Sequence, residues 1–325
     1  MTLPAHEAAA HEAAAHETAA PEAAAPAAPD AGRAEPLDPR LTPARPDLAA
    51  AFLRERVAAP RFAEGTAQRV VWPRAPLRRE PDPSASLVTE ALFGETVTVY
   101  EFDAEGWAWG QLDADGYVGW MPAEALAAPG PAATHKVAAF STPAFPGPSI
   151  KLPPAALLPF GARLSVVRAR ERFLVTEGGL HVFADHLVPV AAREADVVAV
   201  AARFLGLPYL WGGRSSAGLD CSGLVQVALN ACGIACPRDS DMQEHAPDAL
   251  LGPRIPFTGD LKVLRRGDLL FWPGHVGIVE DAGTLLHATA AFMAVVREPL
   301  AAALARIEAA SAPVRTVRRP DLPTP

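Results

Sequence analysis

Cysteine is scarce in this chain, with three residues among 325. Three cannot all pair, and they are too few for a disulfide-built scaffold, so a reducing, cytoplasmic setting is expected. Aromatic side chains are sparse as well, at 7%. No apolar run approaches the roughly 20 residues that a membrane-crossing helix needs, so no membrane partner is expected. The opening MTLPAHEAAAHEAAAHE has neither a basic start nor a continuous apolar core, so it does not read as a secretory signal. Positive charge is outweighed: 29 Lys and Arg stand against 37 Asp and Glu, a net of −8. That balance disfavours a nucleic-acid binder.

Half of the residues are apolar, which excludes a chain that is disordered throughout, and the length predicts two or three domains. The distribution is uneven. Residues 5–34 hold 16 alanines, and the first 48 residues hold eight prolines, eight acidic residues, three arginines and no aromatic. Such a segment buries too little apolar surface to offset its ordering entropy, so residues 1–46 are expected to be a disordered acidic tail. His6, His11 and His16 repeat every five residues. On a helix that spacing turns by about 140°, so they share no face and hold no metal. Residues 47–67 are predicted to be a connecting helix, with Asp47 as its cap, Leu48, Phe52 and Leu53 as its apolar stripe, and Pro60 ending it.

Residues 68–130 change character. QRVVW, SLVTEALFG, ETVTVYEF, GWAWGQLD and GYVGWMP read as short strands, with turn signals at Asp103–Gly106 and Asp113–Gly116. Five strands in so short a stretch predict a small barrel. Residues 131–192 read as a degraded second copy: LPFGARLSVVRA follows the order of LFGETVTVYEF. Both copies resemble bacterial SH3-like domains. Residues 193–325 then place helices first and strands later, an α+β pattern. ADVVAVAARFLG and CSGLVQVALNACG have helical spacing, and GDLLFW, HVGIVED and TLLHATA read as strands, before a helical stretch near 299–310.

The chemistry is expected at Cys221. It opens a helix, where unpaired amides and the helix dipole favour a thiolate and lower its pKa. Asp220 is positioned to cap that helix, spending one carboxylate oxygen and leaving the other free. Cys232 and Cys236 read as structural; with His245 they lack a fourth zinc ligand, so no metal or other cofactor is expected. A hairpin folded near Asp281 puts His275 opposite, or nearly opposite, His287 on one face of a sheet. Such a pair suits a base and the partner that orients it.

The motifs YLWGG, DCSGLVQ, PRDSDMQ, RRGDLLFW and GHVGIV, in this order, resemble the NlpC/p60 family of cell-wall cysteine peptidases. The resemblance implies a papain-like α+β catalytic domain preceded by the two SH3-like barrels and the tail. It implies Cys221 as nucleophile, His275 as base and His287 as the third polar residue. Two barrels ahead of the peptidase are similar to the subgroup that cuts γ-D-glutamyl-L-diamino acid bonds in free murein tri- and tetrapeptides. That subgroup requires a free N-terminal L-alanine. By the same resemblance, Tyr117 and Asp220 would hold the substrate amine, with a further acidic group from Glu80 or Glu90. Tyr209, Ser222, Arg238, Asp239 and Ser240 would line or support the γ-D-Glu subsite, and Arg238 and Asp239 could pair with each other. The alternatives are a hydrolase of intact peptidoglycan and a non-catalytic module that binds wall peptides. Oligomeric state is not legible.

Overall fold

The computed structural model describes residues 37–322. Residues 1–36 of the expected tail lie outside the described residues. Residues 37–46, expected to be disordered, are held in place. The Arg40 carbonyl accepts from Val118 N at 2.8 Å and the Leu41 carbonyl from Gln111 Nε2 at 2.9 Å. The Arg45 guanidinium stacks on Trp109 and Trp120, 4.6 and 4.7 Å from their ring centres. Composition misses this because arginine on aromatic faces and carboxylates can anchor a segment that has little apolar surface of its own.

The connecting helix predicted over 47–67 is also absent. Strand β1 (Leu48–Ala50) runs parallel to β2 (Arg61–Ala63), with a short 3-10 turn at Ala51–Leu53. Leu48, Ala49 and Ala50 are consecutive and all buried, which suits a strand covered on both faces and not a surface helix. Phe52 is 67% exposed, so the expected stripe does not exist. Asp47 caps nothing and instead binds Arg45 at 2.8 Å and Arg61 at 2.7 Å.

The first barrel contains β3 (Thr66–Val70), β4 (Arg74–Arg78), β5 (Leu87–Leu92), β6 (Thr96–Phe102), β7 (Trp107–Leu112), β8 (Val118–Pro122) and β9 (Leu126–Ala127). They order as β5-β4-β8-β7-β6-β3-β9. Alternation turns Val97, Val99 and Met121 inward.

A second all-β unit follows: β10 (His135–Val137), β11 (Ser141–Phe145), β12 (Ala156–Pro159), β13 (Arg163–Leu164), β14 (Val166–Arg170), β15 (Phe173–Thr176), β16 (His181–Phe183) and β17 (Leu187–Pro189). Its backbone repeats the first. Gly94 N donates to Val70 O at 2.9 Å and Gly161 N to Val137 O at 2.9 Å. Both glycines take positive φ, +79° and +84°, as the tight turn requires. A 3-10 turn precedes the last strand in each unit, at Ala123–Ala125 and Ala184–His186.

The C-terminal part begins with α1 (Val197–Ala202), whose amides at Val198 and Ala199 are capped by Asp196 at 2.8 and 3.1 Å. A small hairpin, β18 (Arg214–Ser215) and β19 (Gly218–Leu219), leads into α2 (Cys221–Ala231). Then come α3 (Ser240–His245), α4 (Asp248–Leu251), β20 (Arg254–Ile255), β21 (Leu269–Trp272), β22 (His275–Asp281), β23 (Thr284–Thr289), β24 (Ala294–Pro299), α5 (Leu300–Ala310) and β25 (Thr316–Arg318). The antiparallel sheet orders as β20-β25-β21-β22-β23-β24. Helix α2 lies in the core, with every residue from Cys221 to Leu229 buried, and packs against β22 and β23.

Candidate active site

Asp220 precedes α2 in extended conformation and its Oδ1 accepts from Gly223 N at 2.7 Å. Cys221 is therefore the first helical residue, beside a cap that fixes the helix start. Gly223 allows the helix to sit this deep, since a Cβ there would stand 2.3 Å from the Gly213 carbonyl oxygen. The thiol reaches the Gly274 carbonyl at 4.0 Å, in the turn that leads into β22. The amides of Val276 and Ser222 point at the sulfur.

Strand β22 supplies His275 and β23 supplies His287. Val279 pairs with Leu285 and Ile278 with Leu286, while a bulge interrupts the ladder between Val279 and Asp281. His287 consequently sits diagonally across from His275 on the same face, close enough for His275 Nε2 and His287 Nδ1 to lie 3.0 Å apart. His287 is fully buried. Its Nε2 lies 3.2 Å from Glu298 Oε2, although the angle is poorer than that of a well-formed hydrogen bond. Glu298 in turn accepts from Arg306 at 2.9 and 2.7 Å.

Glu298 and Arg306 were not singled out by the sequence reading. The missed signal is alternation along β24: Val296 pairs with His287, so Glu298 returns to the same face. A carboxylate can only accept, so Glu298 assigns the proton of His287 to Nε2. His287 Nδ1 then accepts from His275 Nε2–H, which leaves the lone pair of His275 on Nδ1.

The electrostatics differ from the sequence expectation. Burial pushes the Cys221 thiol up to about 12, and the Asp220 carboxylate adds to the rise against the opposing amides of Val276 and Ser222. The helix end does not win because Cys221 is buried beside its own negatively charged cap. Burial lowers His275 to about 3, helped by His287 and Arg306. Burial lowers His287 to about 4 against the pull of Glu298. Both shifts favour the uncharged forms, a protonated thiol and a neutral imidazole.

Beneath the helix start lies a closed polar cluster. Arg238 is fully buried and grips both Asp220 oxygens, at 2.9 and 2.7 Å. It also donates to Ser222 Oγ at 3.0 Å and to Thr89 Oγ1 of the first barrel at 2.9 Å. Asp220 Oδ2 further accepts from Gly212 N at 2.8 Å. Neither oxygen of Asp220 is left free, contrary to the expectation from capping alone. Arg238 pairs with Asp220 and not with its chain neighbour Asp239.

Asp239 belongs to a different group. Its Oδ2 accepts from the Tyr117 hydroxyl of the first barrel at 2.9 Å and from Arg40 at 2.8 Å. Burial raises the Asp239 carboxyl despite these partners, and burial followed by Asp239 raises the Tyr117 hydroxyl. Ser240 follows as the first residue of α3, half-buried. Tyr209 is half-buried against the core and bridges to Leu219, just before Asp220. Glu90 of the first barrel is buried, and its Oε2 accepts from Arg214 N at 3.0 Å. Glu80 is exposed. The structure thus pairs His275 with His287 and sets Cys221 against the Gly274 carbonyl just before His275, joins Asp220, Ser222 and Arg238 in a second group, and joins Tyr117 with Asp239 in a third.

Residues 77–126 match the family described as the bacterial dipeptidyl-peptidase SH3 domain, and residues 206–304 match the NlpC/P60 family. The chain is 33% identical over 227 residues to gamma-D-glutamyl-L-lysine dipeptidyl-peptidase of Bacillus subtilis (strain 168), covering 61% of this chain and 71% of that protein. It is 27% identical over 248 residues to the protein of the same name from Bacillus cereus (strain ATCC 10987 / NRS 248), covering 66% and 71%. The crystal structure of an NlpC/P60 family protein from Bacillus cereus ATCC 10987 has a similar fold, with a TM-score of 0.64 at 22% identity, covering 79% of this chain and all of that one.

Proposed function

The chain belongs to the NlpC/P60 family of cysteine peptidases, and on that premise we propose that it hydrolyses the bond between γ-D-Glu and the L-diamino acid of murein peptides with a free N-terminal L-alanine. The product is L-Ala-γ-D-Glu. The setting is cell-wall peptide recycling in the cytoplasm, where three free thiols stay reduced.

In this reading Cys221 Sγ attacks the γ-carbonyl carbon of D-Glu while its proton passes to His275 Nδ1. The developing oxyanion is held by the first amides of α2. His275 gives the proton to the leaving amine of the diamino acid, and a thioester remains. Water, deprotonated by His275, attacks that thioester and releases the dipeptide and the thiol. His287 orients His275 throughout, and Glu298 holds the tautomer that makes this possible.

The observation that carries the substrate assignment is the hydrogen bond from Tyr117 of the first barrel to Asp239 of the peptidase domain. It puts a partly exposed acidic group at the seam of the two domains, where a free amine would compete with Arg40 for Asp239. Asp220 is already neutralised by Arg238, so its part is to position Cys221 and Arg238. Glu90 suits the amine better than Glu80, because it is buried at the seam and its cation, Arg74, is half exposed at 3.2 Å.

The test is mass spectrometry on purified tri- and tetrapeptides, free or N-acetylated. The free peptides should release L-Ala-γ-D-Glu, and acetylation should slow cleavage about 100-fold or more, since a buried acidic site then lacks its cation. Cys221→Ala should abolish turnover without loss of folding. Tyr117→Phe should raise KM for the free peptide about tenfold and leave the acetylated one unchanged. Equal cutting of both peptides rejects the amine-reading assignment.

A further inference from the structure

A cavity of about 640 Å³ opens where the two all-β units meet the far end of α2. Asn230 and Ala231, in the last turn of α2, line it, while Cys221 sits at the opposite end, about 15 Å away at 1.5 Å per residue. Its volume lies within the range of sites for small organic ligands. Val137, Phe160 and Ile234 give it an apolar wall.

Its charged lining is unbalanced. The carboxylates are already engaged. Glu95 pairs with Arg214, Glu194 takes two bonds from Arg203 at 2.8 and 2.7 Å, and Asp115 accepts from Gln226 Nε2 at 2.9 Å and Tyr117 N at 3.1 Å. The cations Lys136, Arg163 and Arg193 are not. Lys136 donates only to the Ala192 carbonyl, at 2.5 Å. Among the described residues neither Arg163 nor Arg193 has a carboxylate partner. Arg193 lies across Gly233, where a Cβ would stand 2.6 Å from its Cδ and Nε.

The arrangement also works against the fold. Lys136 and Arg163 are direct cross-strand partners on β10 and β13. Like charges placed this way destabilise an antiparallel pair. Burial holds the Lys136 ammonium below its ordinary pKa, and repulsion from Arg163 and Arg193 adds to this against the attraction of Glu194. At the equivalent position of the first barrel, Arg69 faces Thr96 and has Glu177 as an ion partner. The second copy puts a cation where the first has threonine, and Glu194, the carboxylate nearby, is bound to Arg203 instead.

We propose that this cavity is a second binding site, separate from the thiol site, for a small organic anion bearing two or more carboxylate or phosphate groups. The three cations take the anionic groups and the apolar wall takes the body of the ligand.

The test uses the full chain with citrate and inorganic pyrophosphate as probes, in calorimetric titrations at matched ionic strength. Saturable binding of at least one probe is expected, and the preferred probe separates carboxylate from phosphate chemistry. Arg163→Ala and Arg193→Ala, both at exposed positions, should each weaken binding about tenfold or more. Cys221→Ser should leave binding unchanged, since the thiol lies at the other end of α2. Without any probe, Arg163→Ala should raise the unfolding temperature, because the like-charge pair is gone, and the same variant should lose the stabilisation that the anion gives the native chain. No saturable binding of either probe up to about 10 mM, or binding that both variants retain, overturns the proposal.

Discussion

The turn around Gly94 in the first barrel meets the second unit, where the Phe93 carbonyl accepts from Arg163 N at 2.8 Å. The equivalent turn around Gly161 carries Phe160 edge-on against Phe204 of the peptidase domain, with ring centres 5.7 Å apart. One backbone plan thus serves two kinds of seam. The first barrel joins the peptidase domain through buried polar groups: Thr89 with Arg238, Glu90 and Glu95 with Arg214, Tyr117 with Asp239, and Asp115 with Gln226. The second unit joins it through Phe140 and Phe160 on Phe204. Apolar contacts tolerate small shifts, whereas a buried hydrogen-bonded charge has a single acceptable set of partners. The polar seam therefore fixes orientation, and it lies beside the thiol.

The polar seam should fail hardest when one charge is removed. Arg238→Met leaves Asp220 buried without its cation and Thr89 without its donor, and should destabilise the protein by about 3–5 kcal/mol. Denaturant unfolding measures this. Catalysis should fall too, because Asp220 caps the helix that carries Cys221. A loss below about 1 kcal/mol would place the strength of this seam elsewhere.

Much of this contrast was legible in the sequence, but not its sign. Alternation and turn residues located most strands of the first barrel but missed β4, whose RAPLR carries a proline, and in the second unit missed β12, and the hairpin spacing brought His275 to His287. The 47–67 helix failed because Leu48, Phe52 and Leu53 fit a helical stripe by spacing while burial required Leu48, Ala49 and Ala50 together. The Asp220–Arg238 pair was hidden because its partners are 18 residues apart and joined only by the fold. Glu298 was hidden because β24 was not recognised as a strand. The thiol's direction of shift was hidden for a different reason: a helix start is visible in sequence, whereas the burial of Cys221 is a property of the packed domain.

Acidity sharpens the comparison at the peptidase side. His275 and His287 are held near 3 and 4, against an ordinary value of 6.5. Below pH 6.5 the unfolded chain binds protons that the folded site refuses, so stability should fall as pH drops from there toward 4. The Cys221 thiol stays protonated up to about 12 and Cys232 up to about 11, while an ordinary thiol ionises at 9.0. Above pH 9 the unfolded chain loses protons that the folded one keeps, so stability should fall again as pH rises. Unfolding temperature against pH should show a plateau between these limits. His287→Gln should flatten the acid limb, and an unchanged acid limb would assign it to other groups.

The smallest effect is expected at the apolar seam. Phe140→Ala removes a ring that lies 5.7 Å from Phe204 and is 40% exposed, so the loss should be about 1 kcal/mol in denaturant unfolding. The kcat/KM for free murein peptides should not change, because Phe140 belongs neither to the core cluster that holds Cys221 nor to the Tyr117–Asp239 pair. The two readouts together discriminate. A stability loss without a catalytic one assigns the second unit to support and to its own cavity. A matching fall in kcat/KM would mean that the apolar seam shapes the thiol site, and the division between the two all-β units would no longer hold.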